Sequence, residues 1–355
     1  MISDLTLEEL QSATRNHGMP LEGLRYKVTP IGMHYVLIHF DVPQVDGRTW
    51  RLQIEGRVAR SLSLPLDDIR SRARTTAPVT LECAGNGRAW MTPRPKSQPW
   101  LDEAVGTAEW TGTPLAPILR EAGLTDGAVE VLFTGLDRGE QSGINQLYER
   151  ALPVQEALRP EILLAYELNG IALPPQHGFP LRLIVPGWYG MTHVKWLQRI
   201  TVLDRPFWGY QQSVFYRIAK DDDDPGIQLS RMYPRSLMMP PGIPVLETRE
   251  RLVPPGRLVL SGRAWSGWSP VTRVEVSVDG GESWAEAELG PPVASHAWRA
   301  WSLPWEASEG RHELLSRASD ESGNAQPLEA RWNIKGVANN ACQRVIVHVR
   351  PGVAL

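Results

Sequence analysis

VTRVEVSVDGG, residues 271–281, alternates Val274, Val276 and Val278 against Glu275 and Ser277 and closes on Asp279-Gly280-Gly281. A half-buried strand requires this period of two, because successive side chains point to opposite faces of a sheet. The two glycines accept the positive φ of a tight turn, so the segment predicts a hairpin. Short β-type runs stand on either side, RLVLSGRAW at 257–265 and HELLSRASD at 312–320, each bounded by turn residues. That rhythm predicts an immunoglobulin-like β-sandwich over residues 226–355.

Upstream of it the texture changes. An acidic run, Asp221 to Asp224, is followed by Pro225 and Gly226, and a proline-rich stretch ends in Met239, Pro240, Pro241 and Gly242. This reads as a linker. Residues 1–225 mix strand candidates, WRLQIEG at 50–56 and LRLIVPG at 181–187, with a helix candidate, PLAPILREAG at 114–123, which is an α+β or α/β pattern. At 355 residues the chain exceeds one ordinary core, so two domains, 1–225 and 226–355, are expected. A composition 42% hydrophobic and 22% charged belongs to a folded protein and excludes disorder. The tryptophans are spread over both halves and read as core or domain-contact residues.

A net charge of -3 leaves no field of one sign that would draw the whole chain to nucleic acid or an anionic membrane, so neither is expected as a partner. No run approaches the roughly 18 apolar residues of a membrane helix. The opening MISDLTLEELQSATRNHG carries acidic residues and no apolar core with a cleavage site, which predicts a cytoplasmic protein, or a periplasmic one if an export leader has been removed. Two cysteines, Cys83 and Cys342, make no disulfide framework.

Chemistry concentrates in two segments. In TLECAGNGRAW, residues 80–90, Gly85 and Gly87 allow a tight bend that presents Cys83 with Arg88 facing the same space. A neighbouring cation favours the thiolate, the form that binds metals or attacks electrophiles. Taken alone, the segment reads first as a buried free cysteine beside a structural arginine. Cys342, in NACQRVIVHV, has no second cysteine or histidine at a zinc-type spacing and takes that reading outright. The second segment, HGFPLRLIVPGWYGMTHVKW at 177–196, gathers His177, Arg182, His193 and Lys195 around a strand and a glycine-bearing loop. Donors and cations so placed are how folds grip a phosphorylated cofactor.

With AVGTAEWTGTPLAPIL at 104–119, LLAYELNGIALPPQHGFPLRLIVPGWYGMTHVKWLQRI at 163–200, VSVDGGESW and NIKGVANNACQRV, these segments resemble, in order and over nearly the whole chain, the sulfite oxidase family of molybdopterin enzymes, which includes the molybdenum domain of assimilatory nitrate reductase. The resemblance implies an α+β sulfite-oxidase-type molybdopterin-binding domain ahead of the sandwich, and Mo-molybdopterin, one pterin per molybdenum, with no haem and no flavin. It implies Cys83 as the protein's metal ligand, a soft thiolate suited to such a metal. Tyr35, Val36, His39, Asp137, His177, Arg182, His193, Val194 and Lys195 match cofactor-contacting positions. Arg88, Tyr216 and Trp110 match residues beside the substrate, with Tyr210 a competitor for Tyr216 in FWGYQQSVFY.

Two substrate-side arginines are replaced. Leu37, in Leu37-Ile38-His39, stands where the family places Arg-Asn-His, and Lys335, in NIKG, where it has an arginine. The upstream Arg15-Asn16-His17 reads as a decoy, because FDVP follows His39 and not His17. A guanidinium fork grips an oxyanion at two points, an ammonium is a point charge, and leucine brings no charge. By resemblance, the expected function is oxygen-atom transfer on a small oxyanion, sulfite first, with electrons passed to a separate acceptor such as a cytochrome. Reduction of nitrate or another small oxo compound, and a non-catalytic molybdopterin-binding scaffold, are the alternatives. The family's sandwich implies a homodimer.

Overall fold

The computed structural model describes residues 5–354. The first unit is built on two five-stranded sheets. One is mixed: Arg51–Gly56 runs parallel to Leu197–Leu203 and antiparallel to Leu62–Pro65, and Leu197–Leu203 continues into the long hairpin Glu130–Gln141 and Ile144–Pro153. The other runs Thr75–Glu82, Val105–Pro114, Leu163–Leu168 and Ile171–Ala172, with Arg182–Ile184 also paired to Leu163–Leu168. The helix read in PLAPILREAG is Leu115–Ala122, whose buried Leu115, Ile118, Leu119 and Ala122 recur at helical spacing and pack into the core beside Leu52, Ile54 and Phe133. An N-terminal helix, Leu7–Arg15, starts on a Thr6/Glu9 capping box.

The sandwich follows. Arg235–Met239, Gly256–Trp265, Arg299–Ala307 and Glu288–Leu289 form one sheet. Ile243–Pro244, Arg251–Val253, Arg344–Val349, Gly310–Asp320, Val271–Ser277 and Ala285–Glu286 form the other. The hairpin read from VTRVEVSVDGG is present: Val276 pairs with Ala285, and Gly280 and Gly281 take φ of +77° and +101°. Val274, Val276, Trp301, Leu314 and Val347 fill the space between the sheets.

The stretch read as a linker is ordered on both sides. Arg217–Ile218 pairs with Ile227–Gln228 around a turn in which Asp224 accepts from the backbone of Lys220 and Gly226. Pro240, Pro241 and Gly242 form the connection between two sandwich strands. Prolines that cannot donate to a ladder serve equally well at a sheet corner as in a linker. No helix among the described residues is long and apolar enough to cross a membrane.

Candidate functional site

Cys83 follows directly on the last residue of the Thr75–Glu82 strand, at the start of a turn, and is 6% exposed. Its amide donates to Ala104 O and its carbonyl accepts from Asn86 N, which closes the turn. Two turn residues further on, Arg88 is buried as well, with Nη1 on Gln98 O at 2.8 Å and Nε on Lys335 O at 3.3 Å. Burial pushes the Cys83 thiol up, and Arg88 pulls it the other way. In the metal-free chain this sulfur keeps its proton, and a soft cation would displace it. Among the described residues no three His, Cys, Asp or Glu side chains gather as a cage. A metal at Cys83 must therefore take its other donors from a cofactor.

Two cavities meet at Cys83. The first is lined by His34, Tyr35, Val36, His39, Asp137, His177, Arg182, His193 and Lys195, so most of the residues expected to touch the cofactor converge there. Its character is cationic and poor in partners. Arg182 spends Nη1 and Nη2 on the carbonyls of His177 and His193 and lies 4.6 Å over the Trp110 ring. Lys195 Nζ donates to Leu37 O at 2.7 Å and Gln176 O at 3.0 Å. Burial holds Arg182 down to about 10 and Lys195 below its usual value, and lifts Asp137. His34 Nε2, His177 Nε2, Arg182 Nε, Thr192 Oγ1 and Asp137 Oδ1 are buried without a protein partner. Buried polar atoms are normally satisfied, so the unmatched donors and acceptors that line this cavity suit a polar ligand. A phosphorylated pterin with a sulfur-bound metal fits the donor set: Arg182, Lys195 and the imidazoles would hold its polar end and Cys83 its metal.

The histidines differ in role. Burial first, then neighbouring cations, lowers His34 and His39 to about 4 and His177 to about 2. His193, lowered to about 3 by burial, accepts from Val185 N on Nδ1 and donates from Nε2 to Trp188 O. With both nitrogens on the backbone, His193 braces the wall, while His34 and His177 keep a nitrogen for a ligand. Gly190 is needed here because a Cβ on it would come within 2.5 Å of Tyr35 Oη.

The second cavity, about 190 Å³, is lined by Leu37, His39, Arg88, Gln98, Trp100, Phe215 and Tyr216, with Ser12 of the N-terminal helix at its edge. Tyr216 Oη and His39 Nε2 share a hydrogen bond of 3.1 Å. Tyr210 is elsewhere, its hydroxyl 2.8 Å from Ser142 Oγ, so Tyr216 is the tyrosine of this cavity. Two expected residues do not reach it. Trp110 is fully buried under Arg182 and edge-on to His34, and the indole that lines the cavity is Trp100. Lys335 turns its ammonium outward to Asp222 at 2.8 Å and offers only its carbonyl to Arg88. Val194 is buried in the core of the first unit. Arg15-Asn16-His17 lies alongside the 36–40 segment, with Asn16 Oδ1 accepting from Ile38 N and Arg15 Nη2 donating to Phe40 O.

Sequence reading passed over His34 and Tyr148, which line the first cavity, and Gln98 and Trp100, which line the second. His34 had a signal, since it adjoins Tyr35. Trp100 had only its place after Cys83, shared with Trp90 and Trp110, and chain position does not tell which indole turns inward.

Comparison with known proteins gives the family. Residues 39–211 match the oxidoreductase molybdopterin binding domain and residues 244–350 the Mo-co oxidoreductase dimerisation domain. The chain belongs to the sulfite oxidase family of molybdopterin oxidoreductases. It is 37% identical to the sulfite oxidase of Gallus gallus over 335 residues, 89% of this chain and 72% of that protein. It is also 37% identical to the mitochondrial sulfite oxidase of Homo sapiens, over 91% of this chain and 62% of that protein. An NADH nitrate reductase of Ulva prolifera is 32% identical, over 90% and 40%. The chain thus spans about three fifths of the length of the human relative. Among solved structures, the sulfane dehydrogenase SoxCD from Paracoccus pantotrophus superposes with a TM-score of 0.80 at 27% identity, covering 94% of this chain and 86% of that one.

Proposed function

We propose that this chain is a molybdenum-dependent oxidoreductase that transfers an oxygen atom to or from a small oxyanion, with sulfite oxidation to sulfate as its first-ranked reaction. The observation that carries the reading is the meeting of the two cavities at Cys83, one with buried cations and imidazoles that still carry unmatched polar atoms, the other with Arg88, Tyr216 and His39. When bound at Cys83, the molybdenum group supplies two-electron redox and oxygen-transfer chemistry. The chain's own residues bind and orient. Arg88 draws an anion toward the sulfur side of the cavity, and its bonds to Gln98 O and Lys335 O keep its fork from swinging away. Tyr216 offers its hydroxyl to an oxygen of that anion, and the neutral His39 ring steadies the hydroxyl from the other side. Leu37, Trp100 and Phe215 keep bulk water from the bound anion. Electrons leave to a separate acceptor, for which a cytochrome is the proposal, and the sandwich pairs two copies of the chain.

A second reading has its own observation. Among the described residues Arg88 is the one lysine or arginine lining the second cavity, because Leu37 is apolar and Lys335 faces Asp222. A single guanidinium suits a monoanion such as nitrate better than a dianion. The test is a pair of dye-coupled assays on chain purified from a molybdate-replete host. Sulfite-dependent reduction of a one-electron dye is expected. Nitrate-dependent oxidation of the reduced dye without sulfite turnover would transfer the assignment to the second reading, and inertness to both would overturn the small-oxyanion function.

A further inference from the structure

The turn that presents Cys83 is held from the sandwich. Arg235, the first residue of the Arg235–Met239 strand, is 1% exposed and reaches across the domain boundary. Its Nη1 donates to Glu82 Oε1 at 2.9 Å, to Asn339 O at 2.8 Å and to Asn86 O at 3.4 Å, and its Nη2 to Asp102 Oδ1 at 2.6 Å. Trp265, on a neighbouring strand, donates to the other oxygen of Glu82 at 2.9 Å. The 335–339 segment follows the turn: Lys335 O accepts from Arg88 Nε, Ala338 N donates to Ala84 O, and Asn339 Nδ2 donates to Gly87 O. Glu82, Ala84, Asn86, Gly87 and Arg88 are therefore each bonded to a residue of the sandwich side, and Cys83 is carried between them.

Two glycines mark how close the approach is. A Cβ on Gly87 would lie 2.9 Å from Asn339 Nδ2, and one on Gly336 would lie 2.8 Å from Arg88 Cγ. Both also adopt positive φ. One glycine belongs to the turn and the other to the segment against it, so each side has lost a side chain to let the other in. None of Glu82, Asn86, Asp102 and Arg235 lines either cavity, so these four bear on the site by holding the turn.

We propose that Arg235 is a positioning residue through which the sandwich sets where the Cys83 sulfur and the Arg88 guanidinium stand. The inference rests on the reading of Cys83 as metal ligand, and goes beyond it in making the second domain part of the metal site. Arginine is needed for its fork: one guanidinium nitrogen meets the carboxylate before Cys83 and the other meets Asp102, which an ammonium cannot do in the same geometry.

The test uses the full-length chain, wild type and Arg235→Lys, and reads alkylation of both cysteines by iodoacetamide in protein stripped of the molybdenum group. Cys342, buried in the sandwich, is the internal control. Arg235→Lys is expected to speed Cys83 alkylation about tenfold with Cys342 unchanged, as local opening of the turn requires. In the loaded protein the thiolate-to-metal absorption band is expected to shift. Should Arg235→Lys fail to fold, Asn339→Ala, which removes the bonds to Gly87 O and from Ala341 N and keeps both ion pairs, is expected to move Cys83 in the same direction by a smaller factor. An unchanged Cys83 rate and band, or equal acceleration of both cysteines, would reduce Arg235 to a structural latch and overturn the proposal. A wild type that holds no molybdenum would sink the ligand reading instead, and metal content is measured separately.

Discussion

The two cavities that share Cys83 differ in how many buried polar atoms they leave unmatched. In the first, Arg182 and Lys195 are tied to backbone carbonyls, yet Arg182 Nε, two imidazole nitrogens and Asp137 Oδ1 are buried unmatched, a wall that gains its remaining partners from a polar guest. In the second, Arg88 is tied to two carbonyls and Tyr216 to His39, and Leu37, Trp100 and Phe215 supply apolar lining beside polar groups such as Gln98 and Glu140. The first is specified for one large ligand and tolerates little change. The second is a small, partly apolar chamber whose preference hangs on a few side chains, which is how one fold can serve several substrates.

The contrast predicts a graded series. The largest effect belongs to the shared cysteine. Cys83→Ser is expected to leave the circular dichroism spectrum intact and to lower turnover about a thousandfold or more, some 4 kcal/mol at the transition state. Near-normal turnover would mean that the metal is not held by this sulfur. Next comes the wall of the first cavity: Arg182→Met should weaken cofactor retention about a hundredfold, consistent with loss of charge-assisted hydrogen bonds worth about 3 kcal/mol. Retention measured by pterin fluorescence after dialysis checks this, and no loss would break the contrast at its cationic end.

A smaller gain is expected in the second cavity. Leu37→Arg adds a fork to a chamber with one guanidinium and should tighten sulfate about tenfold by calorimetry, and an unchanged affinity would show that Leu37 does not set anion preference. A separate effect, on stability and not on binding, is in acid. His34, His177 and His193 are held neutral by burial, with values of about 4, 2 and 3 against 6.5 in an unfolded chain. Below pH 6.5 the unfolded chain therefore binds more protons than the folded one. Stability of the cofactor-free chain is present above that value and is lost as pH falls toward 4, by about 1 kcal/mol per histidine over the first pH unit. A thermal midpoint flat from pH 7 to 5 would contradict the buried, neutral rings.

Legibility followed the same division. The sandwich was readable because Val274, Val276 and Val278 alternate and Gly280-Gly281 close the turn, both of them local signals. The first cavity was readable because Arg182, His193 and Lys195 sit on one strand-and-loop segment. The second was read less well, since its lining comes from distant pieces of chain, and which indole or ammonium points inward depends on tertiary packing. Trp110 lies under Arg182 while Trp100 lines the chamber, and Lys335 is captured by Asp222. The residues holding Cys83 from the sandwich were invisible for the same reason: Glu82 and Arg235 are far apart in sequence and meet only when both domains are folded.

The central claim is that Cys83 and the first cavity together hold a molybdenum cofactor, and metal content by mass spectrometry on chain from a molybdate-replete host tests it most directly. Close to one molybdenum per chain is predicted for the wild type, with much less in Arg182→Met. A wild type that purifies folded and free of molybdenum would contradict the account.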